Sequence, residues 1–222
     1  MTKRQIIYDP RQVPAHGGKT ATVFLVNEAP GPDEAEASIP LYGQQGANLY
    51  HALRRSGIEW AMAQGQFAWP VAAQDTVRLG LKRQFLACRK AHITCTNAYD
   101  RWPRQDGGKA RFCTPGHAEL LSPANLERLR QEANDAHQVI LICGKAAYLA
   151  CTGQEMQDAG KHERQPVGDD VLHNINSRLN ANFKAGWYMG HTRRWLMSPE
   201  SSFKALRACA AVVGWALNSD WG

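Results

Sequence analysis

Val23-Phe24-Leu25-Val26-Asn27-Glu28-Ala29-Pro30-Gly31 is a short apolar run, rich in β-branched and aromatic residues, that stops at a carboxylate and turns at once on Pro-Gly. A run of this form reads as a buried strand delivering an acid to the rim of a sheet, where ligands bind in α/β folds. Two later segments share the form. Ile93-Thr94-Cys95-Thr96-Asn97 ends on an amide, and Gly186-Trp187-Tyr188-Met189-Gly190-His191 ends on an imidazole. The pattern therefore predicts an acid, an amide and an imidazole at three strand ends.

Working outward, strands are expected at about 21–27, 91–97, 139–143 and 186–191, with Val139-Ile140-Leu141-Ile142-Cys143 central. Helices are expected at 46–56 (Leu49, Tyr50 and Leu53 on one face), 74–90, from Ser122-Pro123 onward (Leu126, Leu129, Ala133), at 145–152, and from Ser198-Pro199 (Phe203, Leu206, Ala210, Val213, Leu217). Ser-Pro supplies a cap and a first-turn proline. Residues 28–45 read as a long Pro/Gly loop carrying Glu28, Asp33, Glu34 and Glu36, and 98–121 as a second polar loop. Residues 57–73 read as an irregular insertion with Trp60, Phe67 and Trp69, 153–185 carry no clear assignment, and 1–20 read as a surface segment. Strands alternating with helices predict one α/β domain over 1–222: a three-layer α/β/α sandwich around a mostly parallel, four-stranded sheet.

With 222 residues, 44% of them hydrophobic and 21% charged, the composition fits a soluble globule with a sizeable core. No apolar run approaches the roughly 18 residues of a membrane span. Met1-Thr2-Lys3-Arg4-Gln5 lacks the apolar segment of a signal peptide. The six cysteines are scattered, without a Cys-x-x-Cys, which fits reduced thiols and a cytoplasmic setting. A net charge of +6 favours a polyanionic partner, although a merely basic soluble protein has the same balance.

Two motif fragments carry no chemistry. Gly17-Gly18-Lys19-Thr20 ends like a phosphate loop, but the position six before the Lys is Val13, and the segment precedes a strand instead of following one. Cys113 and His117 have ligand spacing without a second pair, so no metal site is expected.

Singly, Glu28 reads as a loop carboxylate, Asn97 as a turn former and His191 as a structural histidine. In order along the chain, their surroundings resemble the uracil-DNA glycosylase superfamily, nearest its family four and family five branches. The pattern Gly-Glu-Ala-Pro-Gly-x-x-Glu of those branches is met by Asn27-Glu28-Ala29-Pro30-Gly31-Pro32-Asp33-Glu34. Pro-Phe-Val-Gly-x-x-Gly is met by Pro40-Leu41-Tyr42-Gly43-Gln44-Gln45-Gly46, and Ile-Thr-Asn by Cys95-Thr96-Asn97. Leu-Gly-x-x-Ala is met by Cys143-Gly144-Lys145-Ala146-Ala147, and His-Pro-Ser by His191-Thr192-Arg193.

The resemblance implies a DNA glycosylase. Glu28 would position water and support charge on the sugar, and His191 would stabilise the departing base anion. Asn97, with Ala29, Gly31, Leu41 and Tyr42, would hold the flipped-out base. Gly144, Lys145, Arg193, Arg194 and Trp195 would contact DNA, with Trp195 or Leu196 filling the gap in the stack; the alternative for 193–195 is a solvated basic turn with Trp195 in the core. Departures from the pattern are equally specific. Residues 1–87 contain no Cys, and Ala98-Tyr99-Asp100-Arg101 follows Asn97, so the iron–sulfur cluster of family four is not expected and no cofactor is implied. The stacking aromatic is replaced by Leu41, and the position at which a Tyr shields pyrimidine C5 in uracil-specific members is Gly31. The expected substrate is a 5-modified pyrimidine, such as glucosylated hydroxymethylcytosine of phage DNA, excised by a monomer from double- or single-stranded DNA. Uracil repair, and an inactive DNA-binding or sensing protein, are the alternatives.

Overall fold

The protein is described from a computed structural model, over residues 6–43, 46, 49, 90, 92–105, 113–156 and 165–191. Its elements are β1 (Ile6–Gln12), β2 (Val23–Asn27), α1 (Pro32–Ala37), β3 (Ile93–Asn97), β4 (Arg101–Gln105), α2 (His117–Leu120), α3 (Pro123–Glu132), β5 (Val139–Ile142), α4 (Lys145–Thr152), β6 (Gln165–Pro166), α5 (Asp169–Leu179) and β7 (Ala185–Tyr188).

The main sheet has five strands in the order β3-β2-β5-β7-β6. The four strands expected from sequence run parallel, with Val23 opposite Ile93 and Val139, and Val139 opposite Ala185. The fifth corrects the four-strand expectation. It is the two-residue β6, antiparallel to β7 at the edge. Two residues with a proline leave no apolar signal, and a short Pro-bearing strand suits an edge because it blunts further pairing.

Every residue of β2, β3 and β5 is buried, as expected of parallel strands covered on their faces. One face packs against α3, α4 and α5. Phe24, Val26, Ile140, Ile142 and Tyr188 meet Leu129, Ala147, Ala150, Ile175 and Leu179 in a single cluster. Phe24 stacks on Phe183 and on His137, whose Nε2 is 2.8 Å from Thr94 Oγ1. Each such fully buried apolar side chain contributes roughly 1.5–3 kcal/mol. The expected helices at 46–56, 74–90 and from Ser198, and the 57–73 insertion, lie outside the described residues.

Several expected loops contain order. Residues 28–45 hold α1, which Pro32 opens and Ser38 closes in a left-handed conformation. Residues 98–121 hold β4 and α2, and β4 pairs antiparallel with β1 from the expected surface segment. Residues 153–185 hold β6 and α5. α1, α2, β4 and β6 are short or polar, so hydrophobic periodicity does not mark them, whereas α5 does carry Val171, Leu172, Ile175 and Leu179 at helical spacing within a polar stretch. Ser122 does cap α3, its hydroxyl accepting the Asn125 N–H at 3.2 Å. The Gly17-Gly18 segment acts as a strap along the sheet. His16 pairs with Cys95 through two backbone bonds, and a Cβ on Gly17 would lie 2.5 Å from Thr94 Cα.

Candidate active site

Four adjacent strand ends build the site. Parallel register sets Asn97 beside Asn27, one residue before Glu28. Cys143 follows β5 and donates its N–H to Val26, and Met189 follows β7 and donates to Ile142. Gly190, at φ +66°, then turns the chain into His191. His191 Nε2 lies 3.5 Å from Glu28 Oε2, with both side chains partly exposed. Residues 163 positions apart in sequence thus form an acid–imidazole pair at the carboxyl edge of the sheet.

Glu28 is held from two sides. Its carbonyl accepts the Tyr99 N–H at 3.3 Å. Its carboxylate Oε1 is 3.4 Å from the Ala146 N–H in the first turn of α4, where the helix dipole favours negative charge. The approach requires Gly144. This residue has φ +99°, and a Cβ there would lie 2.3 Å from Glu28 Oε1. Gly144 is buried and so serves the acid directly, whereas Lys145, also expected at DNA, is exposed. Burial, with the Cys95 thiol and the Glu28 carboxylate nearby, pushes the Cys143 thiol well up. Cys143 therefore stays neutral and is no nucleophile beneath the pair.

Asn97 is fully buried, yet neither its Oδ1 nor its Nδ2 has a hydrogen-bond partner among the described residues. An unsatisfied buried amide costs about 1–3 kcal/mol, so a water, an ion or a ligand group that pairs with it would be stabilised there. Thr22 Oγ1 and Arg104 Nε are also without a partner among the described residues.

The loop after Glu28 is fixed by a residue to which sequence reasoning gave no role. Glu34 is buried, and its carboxylate accepts the Gly31 N–H at 2.7 Å and the Leu41 N–H. One carboxylate thus ties both ends of the segment expected to hold the base. Its position as the last residue of the Glu-Ala-Pro-Gly-x-x-Glu motif was the available signal. Leu41 is buried with φ +53°, while Ala29, Gly31 and Tyr42 are half-buried. Among the described residues, a Cβ on Gly31 would meet only Glu34 Oε2, at 3.4 Å. Arg193, Arg194, Trp195 and Leu196 lie outside the described residues.

A cavity of about 670 Å³ lies along α4 and the β6–β7 edge, lined among others by Tyr148, Gln154, Glu155, Gln165 and Tyr188. Tyr148 is one helical turn beyond Gly144, about 6 Å, and Tyr188 precedes His191 by three residues. Among the described residues no group of three His, Cys, Asp or Glu side chains could hold a metal. His117 instead faces Glu155 at 3.4 Å. No described helix is long and apolar enough to cross a membrane.

No protein-family model matches the chain, and no curated protein sequence matches it.

Proposed function

We propose that the protein is a DNA glycosylase that hydrolyses the N-glycosidic bond of a flipped-out pyrimidine and leaves an abasic site. The observation that carries this reading is the Glu28–His191 pair beside the unpartnered amide of Asn97. The bond between C1′ and the base nitrogen breaks with its electron pair going to the base, so positive charge develops on the sugar and negative charge on the base. Glu28 supports the first and takes a proton from the water that adds to C1′. His191 donates a hydrogen bond to the departing base, and Asn97 pairs with its edge. Extrusion from the stack costs a few kcal/mol, which pocket contacts offset.

The finer proposal is a pyrimidine with a bulky 5-substituent, glucosylated hydroxymethylcytosine of phage DNA being one such base. Two observations favour it over uracil repair. Gly31 places no side chain where a shield for C5 would stand. The cavity along α4 and the β6–β7 edge, which Tyr188 lines three residues before His191, offers phenols, amides and a carboxylate, groups that bind neutral hydroxylated rings. The amide of Asn97 carries both donor and acceptor and suits either pairing edge.

Abasic-site formation on duplexes and single strands carrying uracil, hydroxymethylcytosine or its glucosylated form tests the reading. Release of the modified base is expected. Release of uracil alone assigns the protein to repair, and DNA binding without any release makes it a sensing protein.

A further inference from the structure

Arg128, on α3, points its guanidinium into the turn that follows β3. Its Nη2 donates to the carbonyl of Asn97 at 2.8 Å and to that of Ala98 at 3.2 Å. Nη1 donates to Glu132 Oε2 at 2.6 Å and to Thr96 Oγ1 at 3.2 Å, and the Thr96 hydroxyl donates to the same Glu132 oxygen at 2.6 Å. Asn125 completes the grip. Its Oδ1 accepts from Arg128 Nη2 at 2.9 Å, and its Nδ2 donates to the Ala98 carbonyl at 2.8 Å. Both members of the Arg128–Glu132 pair are mostly buried, with 18% and 13% of their side chains exposed.

The other side of this turn faces the acid. The Ala98 N–H donates to the Asn27 carbonyl at 2.6 Å, and the Tyr99 N–H donates to the Glu28 carbonyl at 3.3 Å. The carbonyl side of the turn is therefore held by Arg128 and Asn125, and the amide side holds the backbone of Glu28. The residue whose carbonyl Arg128 grips, Asn97, is also the one with the unpartnered amide.

Stability alone is a weak reason to keep this arrangement, because replacing a buried ion pair by apolar residues is often neutral or stabilising. A planar fork with several donors in fixed directions suits a different task, namely fixing backbone carbonyls in place. We infer that Arg128, oriented by Glu132, is a positioning residue that sets Asn97 and Glu28 in register for the reaction. This inference rests on the glycosylase reading of the site, but its structural core can be tested separately.

The test compares full-length wild type with Arg128→Ala, Arg128→Lys and, as a control for destabilisation, Ile175→Ala, which empties part of the remote core. Single-turnover and steady-state base release are measured together with amide hydrogen exchange by NMR. In Arg128→Ala, kcat is expected to fall by about a hundredfold, the cost of a misplaced reacting group, with little change in KM. Arg128→Lys keeps the charge without the fork and should remain impaired. Low guanidinium chloride, but not equal sodium chloride, should restore part of the Arg128→Ala activity. The Ala98 and Tyr99 amides should exchange faster relative to β5. A loss of kcat no larger than in Ile175→Ala, or unchanged exchange at Ala98 and Tyr99, would overturn the inference. Should the wild type release no base at all, the glycosylase reading fails, and exchange at these two amides alone decides whether Arg128 sets the turn.

Discussion

Gly144 and Glu28 are in contact across two strand ends, and the contact leaves no room for a side chain: a Cβ at 144 would stand 2.3 Å from the Glu28 carboxylate. With φ at +99°, the backbone is also one that L-residues avoid. Gly144→Ala is expected to cost about 1–3 kcal/mol from backbone strain, and so to lower Tm by several degrees in a chain of this size. Because the overlap is with the acid, base release should fall by more than the loss of folded protein explains. Calorimetry beside activity per folded molecule checks this, and parallel losses would separate Gly144 from the acid.

Glu28→Gln keeps the shape of the side chain and removes its charge. Base release should be nearly abolished, while the circular dichroism spectrum and DNA affinity stay as in the wild type. Turnover comparable to wild type on the true substrate would remove Glu28 from the mechanism.

How much of this site is legible in the sequence depends on element length and on polarity. β2 and β5 are dense apolar runs and β3 is a short β-branched one, so their positions, their parallel direction and the residues at their carboxyl ends follow from pattern, while the order of the strands does not. Glu28 and Asn97 were legible at those ends, His191 after β7, and their grouping came from the order of the surrounding motifs. α1, β4 and β6 were not, because short or polar elements take their stability from what they pack against rather than from periodicity; α5 did carry a helical repeat in Val171, Leu172, Ile175 and Leu179, within an otherwise polar stretch. Arg128 was hidden differently, and the role of Glu34, though its place in the motif was visible, was hidden in the same way. Both act on backbone groups, and a sequence does not display which carbonyl a guanidinium grips.

His137 gives the fold a pH dependence. Burial holds its imidazole down at about 4, from a usual 6.5, and the ring is packed on Phe24. A base whose folded pKa lies below its unfolded value binds its proton more readily when unfolded. Its contribution is therefore complete above pH 6.5 and is lost as pH falls toward 4, a change on the order of 3 kcal/mol. Asp9, held at about 2 chiefly by its hydrogen bond from Arg11, acts only at lower pH. Chemical denaturation from pH 7 to 4 should show the loss in the wild type and a flatter curve in His137→Gln. Equal slopes would exclude His137 as the source.

Arg193 and Arg194 are expected to meet phosphate. Each Arg→Ala change should weaken DNA binding and reduce the salt dependence by roughly one unit of slope per lost contact. Affinity measured across a salt series reads this directly, and an unchanged slope in both variants would place these residues away from DNA.

Gly31 tests the substrate. Its φ of −98° is open to any residue, and among the described residues a Cβ there makes only an ordinary contact with Glu34 Oε2. Glycine at this position is therefore not required by the backbone, and among the described residues only Glu34 lies against the space it leaves. Gly31→Ala should fold normally and retain activity. Gly31→Tyr adds a ring at the mouth of the site while leaving Glu28, Asn97 and His191 in place. If the natural base carries a large 5-substituent, Gly31→Tyr should lose release of glucosylated hydroxymethylcytosine by well over tenfold, and the ratio of modified base to uracil should shift toward uracil. A correct contact to the pairing edge alone is worth only about 1–3 kcal/mol, so contacts at the 5-position can dominate the choice. Rapid release of uracil by the wild type, with no release of any modified base, would return the site to uracil repair and leave Gly31 without a role in selecting the substrate.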